Sequence, residues 1–271
     1  MENMKYTRVM TIAGSDPSGG AGIQADIKTI SACGCFATSA IVAVVDENTI
    51  GVSGVHPIPS EFVVGQIHSI LDDIGTDAVK IGMLHSSELI KAVRQTLDEY
   101  PEIKNIVLDP VMVATSGDAL LQSEAVATLR DVLIPRARVI TPNIPEAELL
   151  LGRKIHSSRD LADAARALAR PGVSVLLKAG HLNDEQLCDI LFDAELDEIS
   201  ELQSKRVDTN NTHGTGCTLS SALASFLAKG LSLKESAKAA KDYISEAIAR
   251  GAEYSIGHGH GPVHHFHNFW K

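Results

Sequence analysis

The sequence predicts a doubly wound α/β fold, a mostly parallel sheet between two helical layers (α/β/α), in a single domain spanning residues 1–271. Three observations carry this. Short apolar runs alternate with amphipathic segments almost throughout. Apolar residues make up 44% of the chain but aromatics only 4%, so small aliphatics dominate, as in strands covered on both faces. No linker, low-complexity tract or internal repeat breaks the alternation.

Residues 8–13 are an apolar run that stops at Gly14, a first strand. The helix after Gly22 places Ile23, Ile27 and Ile30 on one face and stops at Gly34. Residues 37–45 form a continuous small-aliphatic run, read as one buried strand. Residues 60–71 follow as helix, 77–82 as strand, 87–100 as helix, 105–109 as strand, 123–133 as helix and 138–141 as strand. A short helix over 145–151 has Pro145 early in its first turn. Ser157-Ser158-Arg159-Asp160 opens another helix with a capping-box pattern, and Pro171-Gly172 ends it. Residues 173–178 and 186–192 are strands. Helices over 215–229 and 232–250 complete the fold. Leu219, Ala222, Leu223, Phe226 and Leu227 give the first its apolar face, and a box from Ser232 to Glu235 opens the second.

A net charge of −10 with no basic stripe argues against nucleic acid or an anionic membrane as partner. Cys33, Cys35, Cys188 and Cys217 are too few and too scattered for a disulfide framework or a metal site of their own. Cys33 and Cys35 read as structural, reduced thiols. The start, Met1 to Tyr6, carries no apolar leader, and no run approaches membrane-spanning length, so the expected location is cytoplasmic.

The chemistry concentrates in Asn211-Thr212-His213-Gly214-Thr215-Gly216-Cys217-Thr218, which runs directly into a helix. Two glycines ahead of a helix N-terminus let backbone N–H groups converge where the helix dipole already favours negative charge. That is a seat for a phosphate, or for the charge that develops in phosphoryl transfer. Cys217 lies in the first turn of the same helix, where the field is expected to lower its pKa and make it a proton acceptor. The segment points to a kinase of a small molecule.

A second glycine segment, Gly14-Ser15-Asp16-Pro17-Ser18-Gly19-Gly20-Ala21-Gly22, contains a G-x-G-x-x-A match with Asp46 downstream. Ser15 to Gly19 intervene between strand and glycines, so it is a poor dinucleotide fingerprint, and no Gly-Lys-Ser/Thr is present for a Walker loop. It reads as a loop that lets a small substrate approach the backbone. Asp26 shares the inward face with Ile23 and Ile30 and needs a partner there, either a substrate hydroxyl or simply the helix dipole. Lys178 closes a strand, where it either neutralises phosphate charge or is simply solvated; Asp109, Asn143 and Glu146 end strands at the same sheet edge. Oxygen ligands of this kind suit Mg²⁺ with nucleotide phosphates, although Asn143 and Glu146 also fit a plain helix cap. The histidine-rich tail, Gly257 to His267, reads as loop packing ahead of metal binding.

Taken together, the segments GSDPSGGAGIQAD (14–26), KIGML (80–84), LDPVM (108–112), TPNIPEA (141–147) and NTHGTGCTLSSA (211–222) resemble the hydroxymethylpyrimidine/phosphomethylpyrimidine kinases of thiamine biosynthesis, in the ribokinase-like superfamily. The resemblance spans essentially the whole chain. It implies a ribokinase-like fold, MgATP as phosphoryl donor, a homodimer, and phosphorylation of the pyrimidine alcohol and then of its monophosphate. It also implies that Gly14, Asp26, Met83 and Val111 line the pyrimidine pocket, with Asp26 on the hydroxymethyl group. Cys217 becomes the general base, where sugar kinases of the superfamily carry aspartate, and Gly214, Thr215 and Gly216 the anion hole. Asp109, Asn143 and Glu146 organise Mg²⁺ and the phosphates, with Asp109 and Glu146 as metal ligands; Lys178 and Thr212 contact nucleotide phosphate.

The chain departs from the family pattern at three places. Asp46-Glu47-Asn48-Thr49 stands where many relatives have Ala-Gln-Asn-Thr, so the pyrimidine-reading glutamine is Glu47 here, which accepts from an amine but cannot donate to a ring nitrogen unless protonated. Thr115 stands where lysine is common, and Lys178-Ala179-Gly180-His181 replaces Lys-Gly-Gly-His. Glu47 makes a pyridoxal/pyridoxine kinase the competing enzyme. A non-catalytic sensor on the same fold predicts loss of the base or the metal ligands, and all of these are present.

Overall fold

A computed structural model describes residues 4–112, 124–180 and 186–270; Thr115, His181 and the start of the helix expected over 123–133 lie outside them. Strands β1 (Arg8–Ala13), β2 (Phe36–Ile41), β5 (Ala78–Ile81), β6 (Ile106–Leu108), β7 (Val139–Ile140), β8 (Ser174–Leu177), β9 (Gln186–Asp193) and β10 (Glu198–Lys205) form one sheet in the order β10-β9-β8-β7-β6-β5-β1-β2. From β2 to β8 the pairs are parallel; β9 is antiparallel to both β8 and β10. The chain winds outward from β1 to β2 and then restarts on the other side at β5. The crevice between oppositely running connections therefore falls at the carboxyl ends of β1 and β5.

Alternate strand residues feed two cores. Met10, Ile12, Val79, Ile81, Leu108 and Ile140 pack under α2 (Ser60–Leu71), α3 (Ser87–Asp98), α5 (Ile144–Leu151) and α6 (Leu161–Leu168). Val9, Ala78, Val107, Val139 and Leu176 face α1 (Gly22–Ala32), α7 (Thr215–Ala228) and α8 (Leu233–Gly251). Period-2 burial on both faces is what the small-aliphatic strands anticipate, and the three-layer, doubly wound arrangement is the one expected. None of the described helices is long and apolar enough to cross a membrane.

Several local expectations need correction. The run 37–45 is not one strand: the chain leaves the sheet at Val42, whose N–H donates to Ala13 O at 3.0 Å. It continues as β3 (Ala43–Glu47), which pairs antiparallel with an unforeseen β4 (Val52–Pro57) and is bulged at Asp46/Glu47. With no Gly or Pro at the break, the continuous apolar run concealed it. Ile27 is 38% exposed, because the buried arc of α1 runs through Ile23, Asp26, Thr29 and Ile30 toward α7. The helix expected over 123–133 is a short α4 (Ala125–Thr128) that loosens into a π turn (Leu129–Leu133) and a 3-10 turn (Ile134–Arg136). β10 was also unforeseen. As an edge strand it exposes most of its side chains, and only Ile199 and Leu202 are apolar.

Candidate active site

The carboxyl ends of β1, β5, β6, β7 and β8 open into a cavity of about 630 Å³. It has three zones. Gly14, Val45, Glu47, Met83 and Val111 line one end; Asp109, Asn143, Glu146, Lys178 and Gly214 to Cys217 line the centre; Leu187, Val207, Ile244 and Ile248 give the far end apolar walls. Every site residue expected from the sequence lies on this wall except Asp26.

Gly14 faces Met83 so closely that a Cβ would lie 2.7 Å from the methionine Cε. Gly214 caps α7 with φ +79°, and a Cβ there would lie 1.7 Å from Gly20 O. The two glycine segments are thus packed backbone on backbone, which brings the start of α7 against the β1–α1 loop. Gly216 follows in the first turn, and a Cβ on it would stand 3.2 Å from both Asp109 Oδ2 and Lys178 Nζ. The first-turn amides of α7 lack helical acceptors and face this zone.

The β1–α1 loop does not offer its own amides to a ligand phosphate. Asp16 takes them: its Oδ2 accepts from Gly20 N (3.0 Å), Ala21 N (2.6 Å), Ser18 Oγ (2.9 Å) and His213 Nε2 (2.8 Å), and its Oδ1 accepts from Ser18 N (2.8 Å). Burial pushes the Asp16 carboxyl up, but the hydrogen bonds from His213, Ser18 and Ala21 win and hold it well below the usual carboxylate range. Burial works against a charged His213, yet Asp16 and the nearby Glu47 raise its pKa above the ordinary value. Glu47 Oε1 lies 4.0 Å from His213 Nε2. Asp16 and His213 were not singled out from the sequence. Serine and glycine spaced after an aspartate are the signature of such a loop, and that was the available signal.

At the centre, Asp109 Oδ1 accepts from Lys178 Nζ (2.9 Å) and Thr141 Oγ1 (2.9 Å). Burial opposes its charge, but Lys178 and Lys80 outweigh it and the carboxyl sits low. Lys178, expected on nucleotide phosphate, is thereby ion-paired to Asp109. Asn143 and Glu146 form a capping box, Glu146 N to Asn143 Oδ1 at 2.9 Å and Asn143 N to Glu146 Oε2 at 2.8 Å. The cap and the site are the same two residues, because the box aims the Glu146 carboxylate while both line the cavity. Burial and the charge of Asp109 push Glu146 up to about 7, against the pull of Lys178. Two mutually repelling buried carboxylates beside one ammonium are a donor set that suits a hard dication.

Two expectations are corrected here. Asp26 does not reach the cavity: it is fully buried, and its carboxylate accepts from Lys80 Nζ (2.8 and 2.9 Å), Thr11 Oγ1 (2.6 Å) and Ser221 Oγ (2.7 Å). The partner its buried face demanded is Lys80. Nor is the Cys217 thiol lowered. Burial pushes it up to about 11, Asp26 and Asp109 add to the rise, and Lys80 and the Gly22 N–H only partly offset them. The tail histidines pack: His265 is buried, and burial pulls its pKa down to about 3. The four cysteines are free, and burial drives Cys33 up to about 12.

The phosphomethylpyrimidine kinase family model matches residues 16–264. The chain is 46% identical to the hydroxymethylpyrimidine/phosphomethylpyrimidine kinase of Escherichia coli K12, over 98% of this chain and 100% of that one. Among solved structures it is similar to an ADP complex of Bacillus subtilis pyridoxal kinase, with TM-score 0.87 and 38% identity over 96% of this chain and 98% of that one. It is also similar to the phosphomethylpyrimidine kinase of Clostridium difficile 630, with TM-score 0.77 and 43% identity over 89% of this chain and 99% of that one. With the family model matched over most of its length and 46% identity along the full length of a relative, the chain belongs to the phosphomethylpyrimidine kinase family.

Proposed function

We propose that the chain transfers a phosphoryl group from MgATP to the hydroxymethyl group of 4-amino-5-hydroxymethyl-2-methylpyrimidine, and then to the resulting monophosphate, in cytoplasmic thiamine biosynthesis. One observation carries this reading: Cys217, the start of α7, Asp109, Glu146 and Lys178 line a single cavity that also offers apolar side chains to a ring and to a base. A flat heteroaromatic ring suits the end built by Gly14, Val45, Met83 and Val111, and a nucleobase suits the other. The chain is read as a homodimer with no nucleic-acid or membrane partner.

In the proposed mechanism, Gly214, Thr215 and Gly216 hold the transferring phosphoryl group in line between donor and alcohol, while Cys217 takes the hydroxyl proton. Asp109 and Glu146 would hold Mg²⁺, which when bound neutralises phosphate charge. Lys178 adds fixed positive charge beside Asp109, and Thr212 faces the nucleotide phosphates. Val45, Met83 and Val111 would pack against the acceptor ring and limit its contact with water. Because burial raises the Cys217 thiol, turnover is expected to rise with pH above neutrality as it ionises.

The deciding experiment is ATP-dependent phosphorylation of the hydroxymethylpyrimidine and of pyridoxine side by side, with products resolved by mass spectrometry. Mono- and diphosphate from the pyrimidine, with poor pyridoxine turnover, is the expected outcome. Preference for pyridoxine would transfer the protein to vitamin B6 salvage and make Glu47 the specificity switch. Cys217→Ala is expected to bind both substrates normally and lose turnover; full turnover would remove the thiol from the mechanism.

A further inference from the structure

The buried pair Asp26–Lys80 takes no part in the steps above, yet it lies directly beneath them. Lys80 comes from β5, Asp26 from α1, and both side chains are fully buried, with Nζ–Oδ1 at 2.8 Å. Ser221 ties the pair to α7 through its 2.7 Å bond to Asp26. Ser221 follows Cys217 by four residues, so the two share one face of α7 a turn apart. Lys80 and Cys217 both border the cavity. Three elements therefore converge to fix one ammonium and one carboxylate under the candidate proton acceptor.

Such a pair contributes little to stability on its own, because desolvating both ions offsets their attraction. Its value is electrostatic: a charge held rigidly in low dielectric acts strongly on its neighbours. We propose that Lys80 is a positioning residue whose fixed charge stabilises the Cys217 thiolate, and that Asp26 holds the ammonium in place while moderating that effect. This rests on the reading of Cys217 as proton acceptor.

The groups acting on Cys217 are Lys80 from β5, Asp26 and the Gly22 N–H from α1, and Asp109 beyond β6; the thiol in turn acts on Lys178 beyond β8. Lys80 and the Gly22 N–H pull the thiol down; Asp26 and Asp109 push it up. Removing Lys80 must therefore raise the thiol's titration midpoint, and neutralising Asp26 must lower it. General disruption of the pocket floor would move both variants the same way.

The test is alkylation of Cys217 by iodoacetamide as a function of pH, resolved by peptide mass spectrometry, with Cys188 as internal reference. Lys80→Met is expected to shift the midpoint upward and Asp26→Asn downward, each by roughly 1 unit or more. Shifts of the same sign, or none, overturn the proposal. Should Lys80→Met fail to fold, Asp26→Asn alone decides: its amide oxygen accepts from one of the Thr11 and Ser221 hydroxyls and its NH2 donates to the other, and only a downward shift supports the proposal. If instead Cys217→Ala keeps its turnover, the base assignment fails while the alkylation result still stands or falls independently.

Discussion

Gly214 has little freedom to be anything else. Its φ of +79° is left-handed, and an added Cβ would lie 1.7 Å from the Gly20 carbonyl oxygen. Gly214→Ala is expected to lose turnover and to lower Tm by several degrees in calorimetry. The backbone strain alone is about 1–2 kcal/mol, and relieving the clash must part the two glycine segments. Cys217→Asp provides a complementary test. A carboxylate at that position ionises far below a thiol, so the alkaline limb of the pH–kcat profile should move toward acid; an unmoved limb would show that another group accepts the proton. Glu146 supplies a third. Its folded pKa, about 7, lies above the ordinary 4.5, so the native state binds the proton more tightly than the unfolded chain. Stability is then lost as pH rises from about 4.5 through about 7. Glu146→Gln is expected to raise Tm by a few degrees at pH 8 and barely at pH 4, while abolishing MgATP turnover. Asp16 has the opposite sign: its depressed pKa contributes stability above the ordinary 3.8 that fades as pH falls below it.

At the scale of the element, the most instructive piece is α5. Its sequence, with asparagine, an early proline and a glutamate, is that of a well-capped helix. The helix is indeed capped in that way, and the cap itself presents a carboxylate to the cavity. Asn143→Ala is therefore expected to cost about 1 kcal/mol and to raise KM for MgATP more than KM for the alcohol, since it frees Glu146 to swing. The β3–β4 hairpin shows the limit of local reading. Residues 37–45 have the composition of a buried strand, and both halves are indeed strands. Which sheet each half joins depends on its partner, the distant β1 for one and the adjacent hairpin arm β4 for the other. That departure carries Val45 and Glu47 to the cavity, so the substrate end exists only because the run breaks.

Across the whole molecule, the C-terminal tail straps the hairpin beside the substrate end of the site to the anion hole at its centre. His260 N donates to Thr49 O at 2.7 Å in the hairpin loop, and His213 N donates to Gly261 O at 3.0 Å beside the anion hole. A Cβ on Gly259 would stand 2.0 Å from Thr49 O, so Gly259→Val must displace the hairpin that carries Glu47. Raised KM for the alcohol with little change in KM for ATP is the expected result, measured by steady-state kinetics; equal effects on both would place the damage elsewhere. The sequence by itself determined the layered α/β class, the order of most elements and the strand-end residues of the site. Periodicity, caps and glycines are local signals, and the carboxyl ends of parallel strands converge whatever the details. Only the tertiary structure decided that Asp26 serves Lys80, that Asp16 fills the first glycine loop, that His213 joins it, and that burial raises the Cys217 thiol. Each of these depends on burial and on charges brought together from distant segments, and neither quantity is encoded in the neighbours along the chain.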